Sequence, residues 1–435
     1  MAMRESKIKK EFTHYLENLF PLNRSLTGKD NVKTLKILKK IIPINIKKIQ
    51  SGSKVYDWTI PQEWNISDAY ILDKNGKVLI SYKNNNLHVV GYSKPINKYL
   101  QWSELRKKLF YLENDKDAIP YRTSYYNHDW GFCVSKNQFK KIKISPGPYK
   151  VVIDSEFKKG DLTYGDFIVK GTSKREILIS TYFCHPSMAN DNLSGVLVSA
   201  FLAREMKKIK TKWSYRFIFV PETIGAIAYC NLYEKKLKNI DVGLVITTVG
   251  GKGKFGYKQS WNKDHQINNE IEKILNKYCG DFIIYPFSIR GSDERQYSSQ
   301  GFQINTASIT KDKYFDYEEY HTSLDNLSYV SSNNLFKSLK LYNLLLRRIE
   351  KWEIYEVQMK NCEYMLSKRK LYPKLGGSYK ENHNGYTNSD LIQWILYLSD
   401  GKKNIDYISS KLGVKKNKIK EICQLLVKKK LLKKI

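Results

Sequence analysis

The 435-residue sequence lacks any apolar run of about 18 residues, so no segment is predicted to span a membrane. Its start, MAMRESKIKKEF, is charged and then amphipathic, without the apolar stretch of a signal peptide. Cysteine is scarce and forms no CxxC pair, the six residues being Cys133, Cys184, Cys230, Cys279, Cys362 and Cys423. This spacing argues against a disulfide scaffold or a cysteine-built zinc site. We therefore expect a cytoplasmic protein with reduced thiols.

Three motif classes are also missing. No repeat of about 20–50 residues is visible, which excludes solenoids and propellers. No Gly-x-Ser-x-Gly motif occurs, and Ser194 lies at the predicted start of a helix, so a serine hydrolase is disfavoured. The segment Gly250-Gly251-Lys252-Gly253 has neither the spacing of a phosphate-binding loop nor a helix start after it. Nucleotide chemistry is therefore not predicted.

Acidic residues are few: the sequence has 43 Asp and Glu but 75 Lys and Arg, which gives a formal net charge of +32. Such an excess can indicate a nucleic-acid partner. The lysines, however, are spread along the chain instead of forming one stripe. The abundance of Asn, Ile and 32 Tyr is also what an AT-rich genome would encode. A nucleic-acid partner is therefore an alternative and not the favoured interpretation.

The length favours two or three domains. Strand-like aromatic segments dominate from about Ser53 to Val152, and Lys74-Asn75-Gly76 predicts a hairpin because Asn-Gly supplies positive φ angles. From about Gly165, short apolar runs alternate with helical stretches, which predicts an α/β fold with a mostly parallel mixed sheet between helices. A long helix is predicted from about Asn333 to Tyr355.

Residues 388–435 contain three short helical patterns and a strand-like end, the order of a winged-helix domain. This segment holds 12 lysines and four acidic residues. We therefore predict a discontinuous catalytic domain (1–52 and 153–355), an inserted β-rich domain (53–152), and a linker with a C-terminal winged-helix domain (356–435).

Polar clusters follow three of the predicted strands. His185 and Asp191 follow the run EILISTYF, Glu222 follows YRFIFVP, and His321 follows INTASIT. The carboxyl ends of parallel strands meet at one edge of a sheet, where ligands bind. Two histidines and an aspartate suit a catalytic zinc ion, and a nearby glutamate suits a general base. Taken singly, each residue has a common structural role; Asp191, for example, could cap the following helix.

These residues carry a family resemblance. The turn Ala189-Asn190-Asp191-Asn192-Leu193-Ser194-Gly195, with His185 upstream, resembles the metal-binding turn of the zinc aminopeptidase family, which includes glutaminyl cyclases and glutamate carboxypeptidases. Residues 216–225 resemble its Glu-Glu strand, 291–294 its Ser-Asp-His loop and 321–326 the segment of its last metal histidine. The match covers about residues 165–350 and the N-terminal helices. More closely, the chain resembles bacterial aminopeptidase-like proteins with a β insertion and a C-terminal winged helix.

The resemblance implies roles for single residues. Asp191 would be the ligand that bridges the two metal ions of two-zinc relatives, with His185 on one ion and His321 on the other. Glu222 matches the first Glu of the Glu-Glu pair, the general base for a metal-bound water. In a different register Glu222 would be a ligand, and Glu294 or Asp293 the base.

The sequence also departs from the family pattern. Ser187 replaces the Asp that orients the first histidine, Thr223 replaces the second Glu, and Thr247 or Thr248 replaces a further Asp ligand. Each ion would lose a carboxylate, so we predict one tightly held zinc ion, with two ions as the alternative. The same losses also fit a non-catalytic domain.

Further residues are substrate-binding candidates. An exopeptidase must bind a free ammonium group, for which we predict Asp293 and Glu294. The alternative is a solvated loop in which Arg295 is their partner. Aromatic and basic side chains are also predicted to line a cleft covered by the insertion: Tyr297, Tyr320, Arg122 and Tyr125.

Three functions compete. The first is a zinc metallopeptidase (aminopeptidase) that cleaves a peptide or aminoacyl amide bond. The second is a nucleic-acid-binding regulator with a non-catalytic peptidase-like domain. The third is a zinc-dependent acyl transferase of the glutaminyl cyclase type.

Overall fold

The computed structural model describes residues 2–373 and 386–435. Residues 374–385, within the predicted linker, lie outside the described residues. The chain divides into two compact units, 1–345 and 346–435, and each is described by itself. In the described parts of the chain, no helix combines the length and the apolar character that crossing a bilayer requires.

Ten helices and 16 strands begin in the first unit, within its described residues. The helices are α1 (Ala2–Leu19), α2 (Lys29–Leu38), α3 (Trp102–Leu105), α4 (Lys136–Ile144), α5 (Gly195–Met206), α6 (Ile224–Leu232), α7 (Glu234–Leu237), α8 (Gln266–Tyr278), α9 (Glu294–Tyr297) and α10 (Ser332–Ile349). The strands are β1 (Asn45–Gln50), β2 (Lys54–Val55), β3 (Trp58–Thr59), β4 (Glu63–Leu72), β5 (Val78–Ser81), β6 (Ile96–Leu100), β7 (Leu109–Phe110), β8 (Phe132–Cys133), β9 (Tyr149–Lys158), β10 (Asp161–Val169), β11 (Glu176–Tyr182), β12 (Ser214–Val220), β13 (Val242–Val245), β14 (Gly256–Lys258), β15 (Ile283–Tyr285) and β16 (Asn305–Thr310).

An eight-stranded mixed sheet in the order β1-β10-β12-β11-β13-β16-β14-β15 forms the centre of this unit. Its four middle strands, β12, β11, β13 and β16, run parallel. Every residue of β12 and β16 is buried, as expected of parallel strands covered on both faces. Helices flank the sheet, and α5 is buried along most of its length. The predicted α/β class is confirmed.

A second sheet, β5-β4-β9-β6, is antiparallel throughout. The predicted hairpin joins β4 to β5, with Ile71 opposite Ile80 and a positive φ of 80° at Gly76. One apolar cluster joins both sheets, for example through Ile153 of β9 and Val220 of β12. Since β9 runs to Lys158, past the predicted end at 152, the boundaries of the inserted domain stay a prediction.

The second unit has helices α11 (Asn388–Leu398), α12 (Ile405–Leu412) and α13 (Lys416–Lys428) and strands β17 (Ile354–Val357), β18 (Asp400–Asn404) and β19 (Leu432–Lys434). The strand β17 pairs antiparallel with β18 and β19. Gly413 ends α12 with a φ of 64°, as predicted. The order of elements is that of a winged helix. The predicted long helix is wrong at its end, because α10 stops at Ile349 and Ile354 begins a strand.

Candidate metal centre

The candidate site lies beyond the carboxyl ends of the parallel strands. The segment after β11 carries His185 and Asp191, and Glu222 comes two residues after β12. Thr247 follows β13, and His321 lies on the loop between β16 and α10. Because these strands are neighbours in the sheet, side chains distant in sequence converge at one edge.

Three of the predicted residues present ligand atoms to a common point. The ligand atoms of His185, Asp191 and His321 all lie within 4.8 Å of one another. Asp191 Oδ2 is 3.0 Å from His321 Nε2 and 3.9 Å from His185 Nε2. Two ligands about 2.1 Å from one tetrahedral ion would be roughly 3.4 Å apart, so these separations suit a shared ion.

Two of these ligand atoms are buried polar atoms without a hydrogen-bond partner. They are Asp191 Oδ2 and His321 Nε2, which lie 3.0 Å apart. Buried polar groups are ordinarily paired, because an unpaired group loses its interaction with water. A divalent cation would satisfy both atoms. The donor set, two imidazoles and one carboxylate, therefore fits zinc.

The rest of Asp191 is held firmly. Its Oδ1 accepts a 2.5 Å hydrogen bond from the hydroxyl of Tyr182, which also contacts Thr247 Oγ1 at 2.7 Å. The buried carboxylate of Asp325 accepts hydrogen bonds from the backbone N–H groups of Asn190 and Asp191, at 2.6 and 2.8 Å. The peptide bond after Asp191 is cis. Asp325 and Tyr182 thus orient the turn that carries the central ligand.

The protonation states at neutral pH suit metal binding. Burial would raise the pKa of Asp191, but the charges of His185 and His321 and the Tyr182 hydrogen bond outweigh it, lowering that pKa to about 2. Burial lowers the pKa of His185 to about 4. Near pH 7, Asp191 is therefore ionised and His185 is neutral, the forms in which these side chains bind metals.

His185 is held through its backbone. The buried guanidinium of Arg24 donates two hydrogen bonds to the carbonyl oxygen of His185, at 3.1 and 2.8 Å. Ser187, where the resemblance predicts an orienting Asp, instead donates to the carbonyl of Phe20 at 3.0 Å. The other ring nitrogen of His185, Nδ1, faces the sulfur of Cys184 at 3.6 Å. Nε2 is therefore the nitrogen aimed at Asp191.

Glu222 lies beside this trio with its side chain 24% exposed. Its Oε1 accepts a 2.7 Å hydrogen bond from Ser292 Oγ, and its Oε2 is 3.7 Å from His185 Nε2. Burial and the charge of Asp191 raise the pKa of Glu222 to about 7. A carboxyl group with such a pKa can exchange protons near neutral pH. The distance from His185 also leaves open the alternative in which Glu222 is a ligand.

A second group of ligand-type atoms contains Cys184, His185 and Glu222. Burial raises the pKa of the Cys184 thiol well above its usual range, so the sulfur is protonated at neutral pH. Its sulfur also accepts a hydrogen bond from the Glu222 backbone N–H at 3.1 Å. A thiolate is the metal-binding form of cysteine, so Cys184 is a weaker candidate than Asp191 or His321.

The predicted substrate-binding residues have different positions. Asp293 and Glu294 are fully buried, so the alternative of a solvated loop is wrong. Glu294 forms an ion pair of 2.6 Å with Lys258, and Asp293 accepts a hydrogen bond from the Thr223 backbone N–H at 2.7 Å. Tyr297 is also buried, with its hydroxyl 2.8 Å from Ser180 Oγ. Contacts of Asp293, Glu294 and Tyr297 with a substrate remain a prediction. The burial of these side chains disfavours such contacts.

Tyr320 and a segment of the predicted insertion lie next to the site. The ring of Tyr320 stacks on His321 with 3.9 Å between ring centres. Tyr121 donates its backbone N–H to the carbonyl of His321 at 2.7 Å, and its ring is 5.2 Å from that of His185. Arg122, by contrast, lies over the ring of Phe110. No pattern in the sequence singles out Tyr121, because its neighbour His321 is 200 positions away.

A family model described as "Domain of unknown function (DUF4910)" matches residues 13–352, and a winged helix-turn-helix model matches residues 353–434. The chain belongs to this DUF4910 family. The winged helix expected from the sequence is thereby confirmed.

Relatives of the DUF4910 chain carry peptidase names. It is 42% identical to a protein of Clostridium acetobutylicum named "Putative polysaccharide biosynthesis protein with aminopeptidase-like domain". The match covers 97% of this chain and 96% of that protein. The chain is also 40% identical to the crystal structure of a "putative peptidase" from the same organism, covering 100% of this chain and 98% of that one, with a TM-score of 0.80. A zinc aminopeptidase from Bacillus subtilis, 13% identical, shares the fold, with a TM-score of 0.58 over 79% of this chain and 95% of that one. These comparisons confirm the resemblance seen in the sequence.

Proposed function

We propose that this protein is a zinc-dependent hydrolase of the aminopeptidase type, which cleaves a peptide or aminoacyl amide bond. The observation that carries the proposal is the convergence of His185, Asp191 and His321 with two unpaired buried ligand atoms. Catalytic zinc takes about three N/O ligands and keeps one position open. The side chain of His321 is 33% exposed although its Nε2 is buried, so the centre lies close to the protein surface.

A zinc ion held by these three residues would polarise the substrate carbonyl and lower the pKa of bound water to about 7. Glu222 accepts a proton from the attacking water as the carbon–oxygen bond forms. It then donates this proton to the leaving amine as the carbon–nitrogen bond breaks. The hydrogen bond from Ser292 holds one oxygen of Glu222, which leaves the other free to face the centre.

We expect Glu222→Gln to lower kcat by about 10²- to 10⁴-fold, because the amide cannot accept the proton. The variant keeps the zinc content of the native protein, since it retains His185, Asp191 and His321. The assay follows aminoacyl anilides together with zinc content by mass spectrometry. Glu234→Gln, on a partly exposed glutamate of α7 that pairs with Lys238, is the matched control with unchanged turnover.

Two results would contradict the proposal: native turnover in Glu222→Gln, or a native chain that binds no zinc at micromolar concentrations.

The substrate panel includes N-acylated amino sugars, because one relative's name refers to polysaccharide biosynthesis. Peptides with N-terminal Gln are also included, since a cyclised product would indicate acyl transfer in place of hydrolysis.

The lysine-rich winged helix supports a second candidate function, binding of nucleic acid. Two lysines of α13 are already in ion pairs, Lys416 with Asp406 and Lys420 with Glu353, both at 2.8 Å. DNA binding by this unit predicts a steep loss of affinity with salt, abolished by removing residues 388–435. Binding that survives the truncation would reflect the general positive charge of the chain.

A further inference from the structure

The two carboxylate oxygens of Asp191 have different surroundings. Oδ2 faces His321 and His185 and has no hydrogen-bond partner. Oδ1 instead accepts the hydroxyl proton of Tyr182 at 2.5 Å. A carboxylate that bridges two ions with one oxygen on each ion uses both oxygens, and in this chain Oδ1 is already engaged by Tyr182.

Tyr182 is fixed in this position. The residue is 2% exposed, and its ring lies 5.3 Å from that of His185. Because its hydroxyl donates to Asp191, the contact of 2.7 Å with Thr247 is one in which Thr247 donates. A cation about 2.1 Å from Asp191 Oδ1 would have to displace this buried hydroxyl. The ring has little room to move in a close-packed interior.

The other position that could support a second ion is also engaged. Thr223 Oγ1 accepts a hydrogen bond from the guanidinium of Arg295 at 3.3 Å. The aminopeptidase resemblance leads one to expect carboxylates at Thr223 and at Thr247 or Thr248. Thr223 and Thr247 are instead hydrogen-bonded to side chains, and the partner of Thr223 is positively charged. Thr248 Oγ1 is buried without a hydrogen-bond partner. A second divalent cation would meet a guanidinium beside Thr223.

We propose that Tyr182 is a positioning residue that makes this a one-ion centre: its hydroxyl holds Asp191 Oδ1, so that Asp191 binds a single metal ion through Oδ2. This inference rests on the metal site of the proposed function. It goes further by assigning the number of ions and the oxygen used to a specific hydrogen bond.

The number of ions is tested with the full-length chain, stripped with a chelator and reloaded with zinc. The expected result is one zinc ion per chain, and an X-ray absorption spectrum without a zinc–zinc distance at about 3.5–4 Å. Two ions at that distance would overturn the one-ion inference and leave the hydrolase proposal standing. No bound ion would overturn both, so the two failures are distinguishable.

The role of the hydroxyl is tested with Tyr182→Phe. We expect the zinc dissociation constant to rise about 10- to 100-fold, because the group that orients a metal ligand is lost. One ion is still bound, since Arg295 beside Thr223 continues to disfavour a second ion. Tyr342→Phe removes another fully buried hydroxyl, bonded to the Ile309 backbone, and is the matched control with native affinity. Thr247→Val, which keeps the side-chain shape, should weaken binding in the same direction by a smaller factor. Native zinc affinity in a folded Tyr182→Phe protein would overturn the inference.

Discussion

Glu222 is an acid whose protonation changes near neutral pH. Burial and the charge of Asp191 raise its pKa from an ordinary value of 4.5 to about 7 in the metal-free chain. Between these two values the folded chain keeps a proton that the unfolded chain has lost. Stability therefore falls as pH rises through this window.

We expect the Glu222→Gln variant to lose less stability than the native chain between pH 4.5 and 7, because it has no group to ionise at this position. The measurement is the urea midpoint of both proteins in the presence of a chelator. Parallel pH profiles for the two proteins would contradict the assigned environment of Glu222.

Single residues differ in how well the sequence predicts them. His185, Asp191 and Glu222 could be found because each follows a recognisable apolar strand, and the structure brings them together. The role of Tyr182 could not be predicted, because the sequence pattern indicates only that it is the last residue of a buried strand. Its contact with Asp191 depends on the backbone conformation of the turn 189–194, which no local pattern encodes.

Among the secondary-structure elements, the close approach of α5 to the sheet determines the position of the turn that carries Asp191. Gly195 begins this helix directly after the turn 189–194, which carries Asp191. A Cβ atom added there would lie 2.3 Å from the backbone oxygen of Ile246 and 2.3 Å from Asn192 Oδ1. Only glycine allows this contact without a shift of the turn.

Gly195→Ala is therefore expected to destabilise the protein by about 1–3 kcal/mol, the usual range for overpacking a buried site. The control, Gly301→Ala, has no atom within 4 Å of the added Cβ and should change stability by less than about 0.5 kcal/mol. Urea denaturation of both variants gives the comparison. Equal free energies of unfolding for the two variants would mean that the turn accommodates a Cβ atom at position 195, which would contradict this prediction.

The elements of the main sheet were predictable because strands such as β12 are continuous apolar runs. The secondary-structure predictions fail where a strand forms only by pairing with a segment distant in sequence. β18 has the polar sequence Asp-Gly-Lys-Lys-Asn and forms a strand only through its pairing with β17. The predicted helix ran through to Tyr355 because apolar residues continue past Ile349, yet Ile354–Val357 pairs with two strands distant in sequence.

At the scale of the whole molecule, binding of the proposed zinc ion would be coupled to stability. A ligand that binds only the folded chain stabilises it by mass action. Zinc at about 100 times its dissociation constant is expected to raise the free energy of unfolding by about 2.7 kcal/mol. The measurement is urea denaturation with zinc and with a chelator.

His321→Ala should abolish the gain from zinc, because one of the three ligands is lost. His14→Ala, on the exposed face of α1, should keep it. A similar gain in His321→Ala would mean that the stabilising ion binds elsewhere on the chain.

The proposed function depends on one metal ion shared by His185, Asp191 and His321. Anomalous X-ray scattering at the zinc edge, from crystals of the zinc-loaded chain, locates such an ion. We expect one peak, about 2.0–2.2 Å from His185 Nε2, Asp191 Oδ2 and His321 Nε2. A crystal saturated with zinc but without a peak between these three atoms would contradict the proposal.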